Sequence, residues 1–309
     1  MRHIRRLLDW QCRITAVRRT YRNCHGRRLS LFFPRLYSEK IQWRKLFDED
    51  PRHRIFCDKL ATRDYIAEKG FSHLLPELVW SGENLSNSPI RSLDFPVVLK
   101  SNHATAQYVF VHDCAAMDYD KIADEARQWL TIDWGDGMNE PAYLGIPRRL
   151  MIERTVTNPD GSQTTEHRVF VFHGKAKLIA SMMVKDGGVF ALFHTPDWRR
   201  LPWRGINPPY EASLPKPERL AEMISAAEQL AETDEHLRID FYDNGTRLYV
   251  GEITVYTWSG LLKLSPQSAD EAMGAFWSPA RPLRKALARI AFGEWGAPFK
   301  TMRQKAKCL

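Results

Sequence analysis

Two acidic residues lie among apolar and β-branched neighbours in the run Arg238-Ile-Asp240-Phe-Tyr-Asp-Asn244-Gly245-Thr-Arg-Leu-Tyr-Val-Gly-Glu252-Ile-Thr254. A carboxylate in such surroundings is costly unless it is paired or bound to a cation. Two carboxylates with a nearby hydroxyl make a hard, all-oxygen donor set, which suits Mg²⁺ better than Zn²⁺. That chemistry depends on strand register. A two-residue turn at Asn244-Gly245 sets Asp240 opposite Tyr249 and leaves Glu252 on the other face. A longer loop spanning Asn244 to Leu248, or a bulge, sets Asp240 opposite Glu252, with Thr254 further along that face and Arg238 beside Asp240. The metal reading needs the second register; the alternative is a pair of half-exposed hairpin acids.

Other stretches carry groups suited to phosphates. Asp94-Phe-Pro-Val-Val-Leu-Lys100 reads as a strand ending on a lysine. The small-residue loop Ser101-Asn102-His103-Ala104-Thr105-Ala106 and a second strand, Tyr108 to Val111, follow it. A point charge beside close-approaching backbone N–H groups can grip phosphate oxygens. Upstream, Asp58 and Gly70 bracket a helix as N-cap and C′ residues. That helix sets Lys59 and Arg63 four apart on one face. Leu150 to Val156 reads as a strand leaving into a polar loop, Thr157 to Thr165, and His167 to Lys175 begins a hairpin with His173 at its turn. Asp197-Trp198, Arg199, Arg200, Trp203 and Arg204 form a basic and aromatic loop suited to stacking on sugars and pairing with carboxylates. Two apolar stripes, from Asp118 to Leu130 and in a helix opened by Pro217, read as core-facing helices.

The Arg-x-Asp at 238–240, the Glu-x-Thr at 252–254 and Ser259-Gly260 resemble the end of an ATP-grasp domain. From about Ser38 to Gly274 the order and spacing of motifs is similar to the TupA-like branch, associated with teichuronopeptide and other polysaccharide biosynthesis. The resemblance implies an α+β ATP-grasp fold, two antiparallel-sheet lobes clasping ATP plus an N-terminal substrate lobe. It implies Mg²⁺ on Asp240, Glu252 and Thr254, and a catalytic set of Lys100, Arg238, Asp240 and Glu252. It also implies nucleotide contacts from Lys59, Lys100, Asn102, His103, Glu153, Val156 and Arg168. The activity implied is that of an ATP-dependent carboxylate–amine ligase joining an amine or amino acid to a glycan or sugar-acid precursor. A sugar kinase and a non-catalytic, glycosyltransferase-associated ATP-binding protein are the alternatives. Departures from the family pattern are Thr254 where asparagine is usual and alanines at 104 and 106 where glycines are usual; the alanines should stiffen the phosphate loop.

The net charge of +8 is terminal. Residues 1–30 hold nine Lys/Arg against one acid and residues 281–309 hold eight against one, leaving 28 basic against 35 acidic residues between them. The expected organisation is a basic N-terminal segment at 1–37, the ATP-grasp region at 38–278 and a basic tail at 279–309. Ile4, Leu7, Leu8, Ile14 and Val17 among arginines suggest an amphipathic helix, either docked on the body or lying on an anionic membrane. No zinc-finger spacing, RNP-like motif or helix-turn-helix accompanies the charge, so nucleic acid is not an expected partner. Five scattered cysteines without a C-x-x-C pair fit a reducing cytoplasm. No apolar run has the length of a spanning helix, so the expected location is cytoplasmic, with attachment to the inner face of the membrane as the peripheral option.

Overall fold

The computed structural model describes residues 2–185, 188–205, 213–279 and 282–292. Most of the expected C-terminal tail, 280–281 and 293–309, therefore lies outside the described residues. In chain order the elements begin with α1 (Arg2–His25), α2 (Tyr37–Phe47), α3 (Arg52–Cys57) and α4 (Lys59–Glu68). A first sheet is built from β1 (Leu78–Gly82), β2 (Val97–Ser101) and β3 (Tyr108–Val111), then, after α5 (Tyr119–Thr131) and α6 (Trp134–Met138), β4 (Leu150–Arg154). A second sheet takes β5 (Thr165–Phe172), β6 (Lys175–Lys185), β7 (Gly188–His194) and β8 (Arg200–Leu201), and, after α7 (Leu220–Ala231), β9 (His236–Asp243) and β10 (Leu248–Thr254). Helices α8 (Gln267–Phe276) and α9 (Pro282–Phe292) follow.

Strand order is β1-β4-β2-β3 in the first sheet and β10-β9-β5-β6-β7-β8 in the second. Every pairing is antiparallel. Alternation along the strands decides what each face of the second sheet meets. Val169, Val171, Leu237, Ile239 and Phe241 bury one face together with Met223, Ala227 and Leu230 of α7. On the other face Phe170, Phe172, Leu178, Ala180 and Phe193 pack with Tyr37 and Ile41 of α2 and with Met273 of α8. The first sheet packs Val97, Leu99, Val111 and Ile152 with Ile122 and Ala126 of α5. Its remaining face carries Lys100 and Glu153.

Several local expectations hold. Asp58 caps α4 by accepting from the Leu60 N–H at 3.0 Å, and Asp118 caps α5 from Lys121 at 3.1 Å. His173 is a turn residue with φ 49° beside Gly174. Others shift. Pro217 does not open α7, which begins at Leu220 after a turn in which the Leu220 N–H donates to the Pro217 carbonyl. The strand expected to run to Val156 ends at Arg154. Ahead of the first sheet the chain supplies helices only. Ile14, Val17 and Tyr21 of α1 are buried with Trp43 of α2 and Ala286 of α9, so the second half of the basic helix is docked on the body; the side chains of Ile4, Leu7 and Leu8 lie outside the described residues. The Arg44 side chain of α2 crosses to the second sheet, donating to the His236 carbonyl at 2.5 Å and to Asp234 at 3.3 Å.

Candidate active site

The register of β9 and β10 sets the two acids face to face. A tight Asn-Gly hairpin does not form, because the Asn244 side chain accepts from the Thr246 and Arg247 N–H groups and stabilises a four-residue loop, with Leu248 pairing Asp243. That loop alone would pair Asp240 with Gly251. A bulge between Val250 and Glu252 shifts the ladder by one residue, and Glu252 pairs with Asp240 and Thr254 with Arg238. Gly251 suits the bulge because a Cβ there would come within 2.5 Å of the Tyr242 ring. On β5, Arg168 pairs with Asp240, so Arg168, Asp240 and Glu252 form one row across three strands on one face.

Asp240 is buried and accepts a two-pronged interaction from Arg238, at 2.7 and 2.5 Å. Arg168 lies 3.9 Å from the same carboxylate and donates to Glu166. Burial pushes the Asp240 carboxyl up to about 6; Arg238 opposes the rise and the nearby Glu166 charge adds to it. Burial would also raise Glu252, but the Lys59 ammonium and the Arg238 guanidinium outweigh it and hold that carboxyl below its ordinary value. The Thr254 hydroxyl donates to Glu252 at 3.1 Å.

This donor set fits a hard divalent cation. It offers two carboxylates and a hydroxyl, all oxygen. The raised Asp240 value marks an anion that one guanidinium does not fully compensate, and carboxylate oxygens have lone pairs to spare beyond those Arg238 uses. Another cluster, Asp50, His53 and Asp234, brings potential ligand atoms together. There Arg44 and Arg52 already reach the carboxylates, and the arrangement reads as a buried ion-pair network.

Glu252 is on the edge strand and lines an open cleft with Lys59 and Arg63 of α4 and, from the first sheet, Lys100 and Glu153. Lys100 and Arg63 each hold one oxygen of Glu153 at 2.6 Å. The cleft thus collects Lys59, Lys100, Glu153 and Glu252 from four elements, α4, β2, β4 and β10, while Arg168, Arg238, Asp240 and Thr254 continue the polar face inward. Asn102 is set differently. Its buried amide donates to Asp58 and the Pro147 carbonyl, both at 2.9 Å, and accepts from the Arg149 N–H at 2.7 Å, so it ties the loop to the body. His103 is buried with Nδ1 3.3 Å from the Asn102 oxygen, and burial lowers its pKa. The Lys59 ammonium donates to the Ala104 carbonyl, pinning the same loop, and Ala106 has φ 56°, a conformation glycine would adopt without strain. Val156 follows β4 half-buried and does not line the cleft. Glu166 and Tyr242, on the Asp240 face, escaped the sequence reading; alternation two residues from Arg168 and Asp240 was the signal for both.

Two antiparallel sheets closing on a cleft lined by lysines and acids define an α+β protein of the nucleotide-clasping, ATP-grasp class. The family model described as TupA-like ATPgrasp matches residues 39–278, and the chain belongs to that family. No curated protein matches the sequence. Among solved structures, similarity extends to a D-alanine–D-alanine ligase from Bacillus anthracis complexed with ATP (16% identity, TM-score 0.44, 77% of this chain and 66% of that one). An L-amino acid ligase from Bacillus licheniformis is similar at 14% identity and TM-score 0.44, over 70% of this chain and 47% of that one. An N5-carboxyaminoimidazole ribonucleotide synthetase in complex with ADP is similar at 15% identity and TM-score 0.40, over 64% of this chain and 44% of that one. The chain spans less than two thirds of the length of each of these structures.

Proposed function

We propose that the protein is an ATP-dependent carboxylate–amine ligase acting on a glycan or sugar-acid precursor. The observation that carries the reading is the bulge-set opposition of Asp240 and Glu252, ringed by Arg168, Arg238 and Lys59 and facing Lys100 across the cleft. In this reading Lys100 releases Glu153 to grip the α- and β-phosphates of ATP, and Lys59 keeps the 102–106 loop over them. Asp240, Glu252 and Thr254 hold magnesium, which when bound neutralises phosphate charge. Arg238 steadies the transferred phosphoryl group as the substrate carboxylate attacks it, and the amine then displaces phosphate from the acyl phosphate. The basic N-terminal helix gives a secondary partner: with Ile14, Val17 and Tyr21 docked on the body, exposed Arg18, Arg19 and Arg22 attract an anionic membrane surface by charge.

Hydroxylamine stands in for the unknown amine in the test. Candidate uronic acids with ATP and Mg²⁺ are expected to yield a hydroxamate, ADP and free phosphate. Asp240→Asn is expected to suppress the yield by roughly a hundredfold, the scale of several kcal/mol of lost charge stabilisation. A stable phosphorylated sugar without hydroxamate would establish a kinase instead, and absence of ATP turnover across acids and sugars would favour a binding protein.

A further inference from the structure

The chain contains one Asn-Gly pair, Asn244-Gly245, at the tip of the hairpin that brings Asp240 and Glu252 together. An asparagine followed by glycine is prone to attack on its own carboxamide by the next backbone nitrogen, since glycine carries no side chain to obstruct the approach. Gly245 is exposed, with φ 79°, and Asn244 is half-buried. In the folded turn both reacting groups are engaged. Asn244 Oδ1 accepts from the Thr246 N–H at 3.1 Å, the Thr246 hydroxyl at 2.9 Å and the Arg247 N–H at 2.8 Å, while Nδ2 donates to the Thr157 carbonyl at 3.2 Å. The Gly245 N–H donates to the Asp243 carboxylate at 2.9 Å. The attacking nitrogen must give up that proton and meet the carboxamide carbon, and the fixed side chain opposes the approach.

One of these bonds leaves the hairpin. Thr157 belongs to the polar loop between β4 and β5, the connection from the first sheet to the second. Residues 159–163 of that loop are exposed. The loop is closed by bonds of its own: Asn158 Nδ2 donates to the Ser162 hydroxyl at 2.9 Å and to the Gln163 carbonyl at 3.1 Å, and Thr157 bridges to Gln163. A short exposed segment of this kind opens at low cost, ahead of the buried sheet. The hairpin tip has further anchors, Arg219 on the Thr246 carbonyl and Arg247 on the His73 carbonyl. Opening of the 157–163 loop therefore frees the Asn244 carboxamide and leaves the rest of the tip in place.

We propose that Asn244 is a latent deamidation site, gated by the loop between the two sheets, whose conversion unsets the hairpin. The Gly245 nitrogen bonds to Asn244 Cγ, the Cγ–Nδ2 bond breaks, and Nδ2 leaves as ammonia with the proton from Gly245. Water then opens the cyclic imide, at one carbonyl to aspartate and at the other to isoaspartate, with its extra backbone methylene. Aspartate has no donor for the Thr157 carbonyl and sets a second charge beside Asp243. Isoaspartate lengthens the loop that pairs Asp243 with Leu248, from which the ladder runs to the bulge that sets Glu252 opposite Asp240. The covalent change stands apart from the ligase reading; its consequence for ATP rests on the magnesium reading of the paired acids.

Peptide-mapping mass spectrometry tests this on the full-length protein, held folded or in urea at mildly alkaline pH. Asn244 is expected to convert in both, with isoaspartate among the products, and about tenfold or more slowly when folded, the scale of one or two side-chain hydrogen bonds. Asn158→Ala opens the 157–163 loop and is expected to speed conversion several-fold in the folded protein while leaving the rate in urea unchanged. Ser162→Ala, at an exposed position, removes one of the same bonds and provides a second variant. Converted protein, separated by ion exchange, is expected to bind ATP with magnesium about tenfold more weakly by calorimetry. Equal rates folded and in urea, conversion indifferent to both variants, or an Asn244 that stays intact in the folded protein and in both variants would overturn the gated site. Unchanged ATP affinity of the converted protein would overturn its coupling to the paired acids. Gated conversion in a protein that forms no hydroxamate would uphold the site and remove the ligase reading.

Discussion

At the scale of single residues, the site balances buried charges against one another, so single substitutions have definite signs. Lys100 is held by Glu153 at 2.6 Å and is the first-sheet cation lining the cleft among the described residues. Lys100→Ala is expected to weaken ATP binding by about 1.5–3 kcal/mol, the range for a charge-assisted hydrogen bond. Isothermal calorimetry measures this, and unchanged affinity would remove Lys100 from the site. Asp234 shows the structural counterpart. Burial raises its carboxyl, but Arg44 and His53 outweigh that and hold it well below the usual carboxylate range. A depressed folded-state pKa contributes stability that is present above the unfolded value near 3.8 and is lost as pH falls through the folded value. Asp234→Asn is therefore expected to destabilise the protein by about 1.5–3 kcal/mol at pH 7, the scale of a hydrogen bond to a charged group, since Arg44 loses Asp234 and keeps Asp48 as its other buried carboxylate at 3.3 Å. Urea unfolding should show that deficit shrinking as pH is lowered below about 4, and a deficit independent of pH would refute the assignment.

At the scale of elements, the decisive feature is one extra residue in β10. Without the bulge Glu252 would pair with Ile239 and project to the opposite, apolar face. Gly251 accommodates the bulge because the Tyr242 ring lies over it. Gly251→Val is expected to cost about 1–3 kcal/mol by overpacking, measured by thermal unfolding, and to lower magnesium-dependent ATP affinity. Tyr242→Ala in the same background should recover much of the stability by clearing the ring. Failure to recover it would show that the cost lies in the backbone and not in the collision.

At the scale of the whole molecule, the described part of the basic N-terminal helix and the helix α9 pack on the body. Ile14, Val17 and Tyr21 of α1 share a buried cluster with Trp43 of α2 and Ala286 of α9, and His25 reaches the Gly260 carbonyl. Removing residues 1–30 is thus expected to destabilise the protein and to loosen the turn at 258–260, seen as a lowered melting temperature and faster hydrogen exchange there. Replacing exposed Arg18, Arg19 and Arg22 by glutamine keeps the fold and isolates the electrostatic question. Binding to anionic vesicles should fall with salt in the unmodified protein and be weakened in the triple variant. Vesicle binding indifferent to both would remove the membrane from the partners. No described helix is long and apolar enough to cross a membrane.

What the sequence determined by itself was local chemistry and its order. The strand ending at Lys100, the Asp58-capped helix, the Arg238-x-Asp240 run and the spacing of these motifs along 38–274 are short-range signals, written in side-chain alternation, capping and turn residues. They sufficed for the family and the two-sheet architecture. The tertiary structure decided what two or more distant segments must settle together. The choice between the two registers depended on a four-residue loop held by the Asn244 side chain and a bulge at Gly251, neither of which leaves a periodic signature. Asn102, which its place in the Lys-x-Asn-His run offered as a ligand contact, is bound by Asp58, Pro147 and Arg149, partners that only the folded chain brings near. The left-handed turn at Trp258, Ser259 and Gly260 is held because α1 and α2 supply its hydrogen bonds from more than two hundred residues away. Local sequence sets which groups are available; long-range packing and the satisfaction of buried polar atoms set which of them meet.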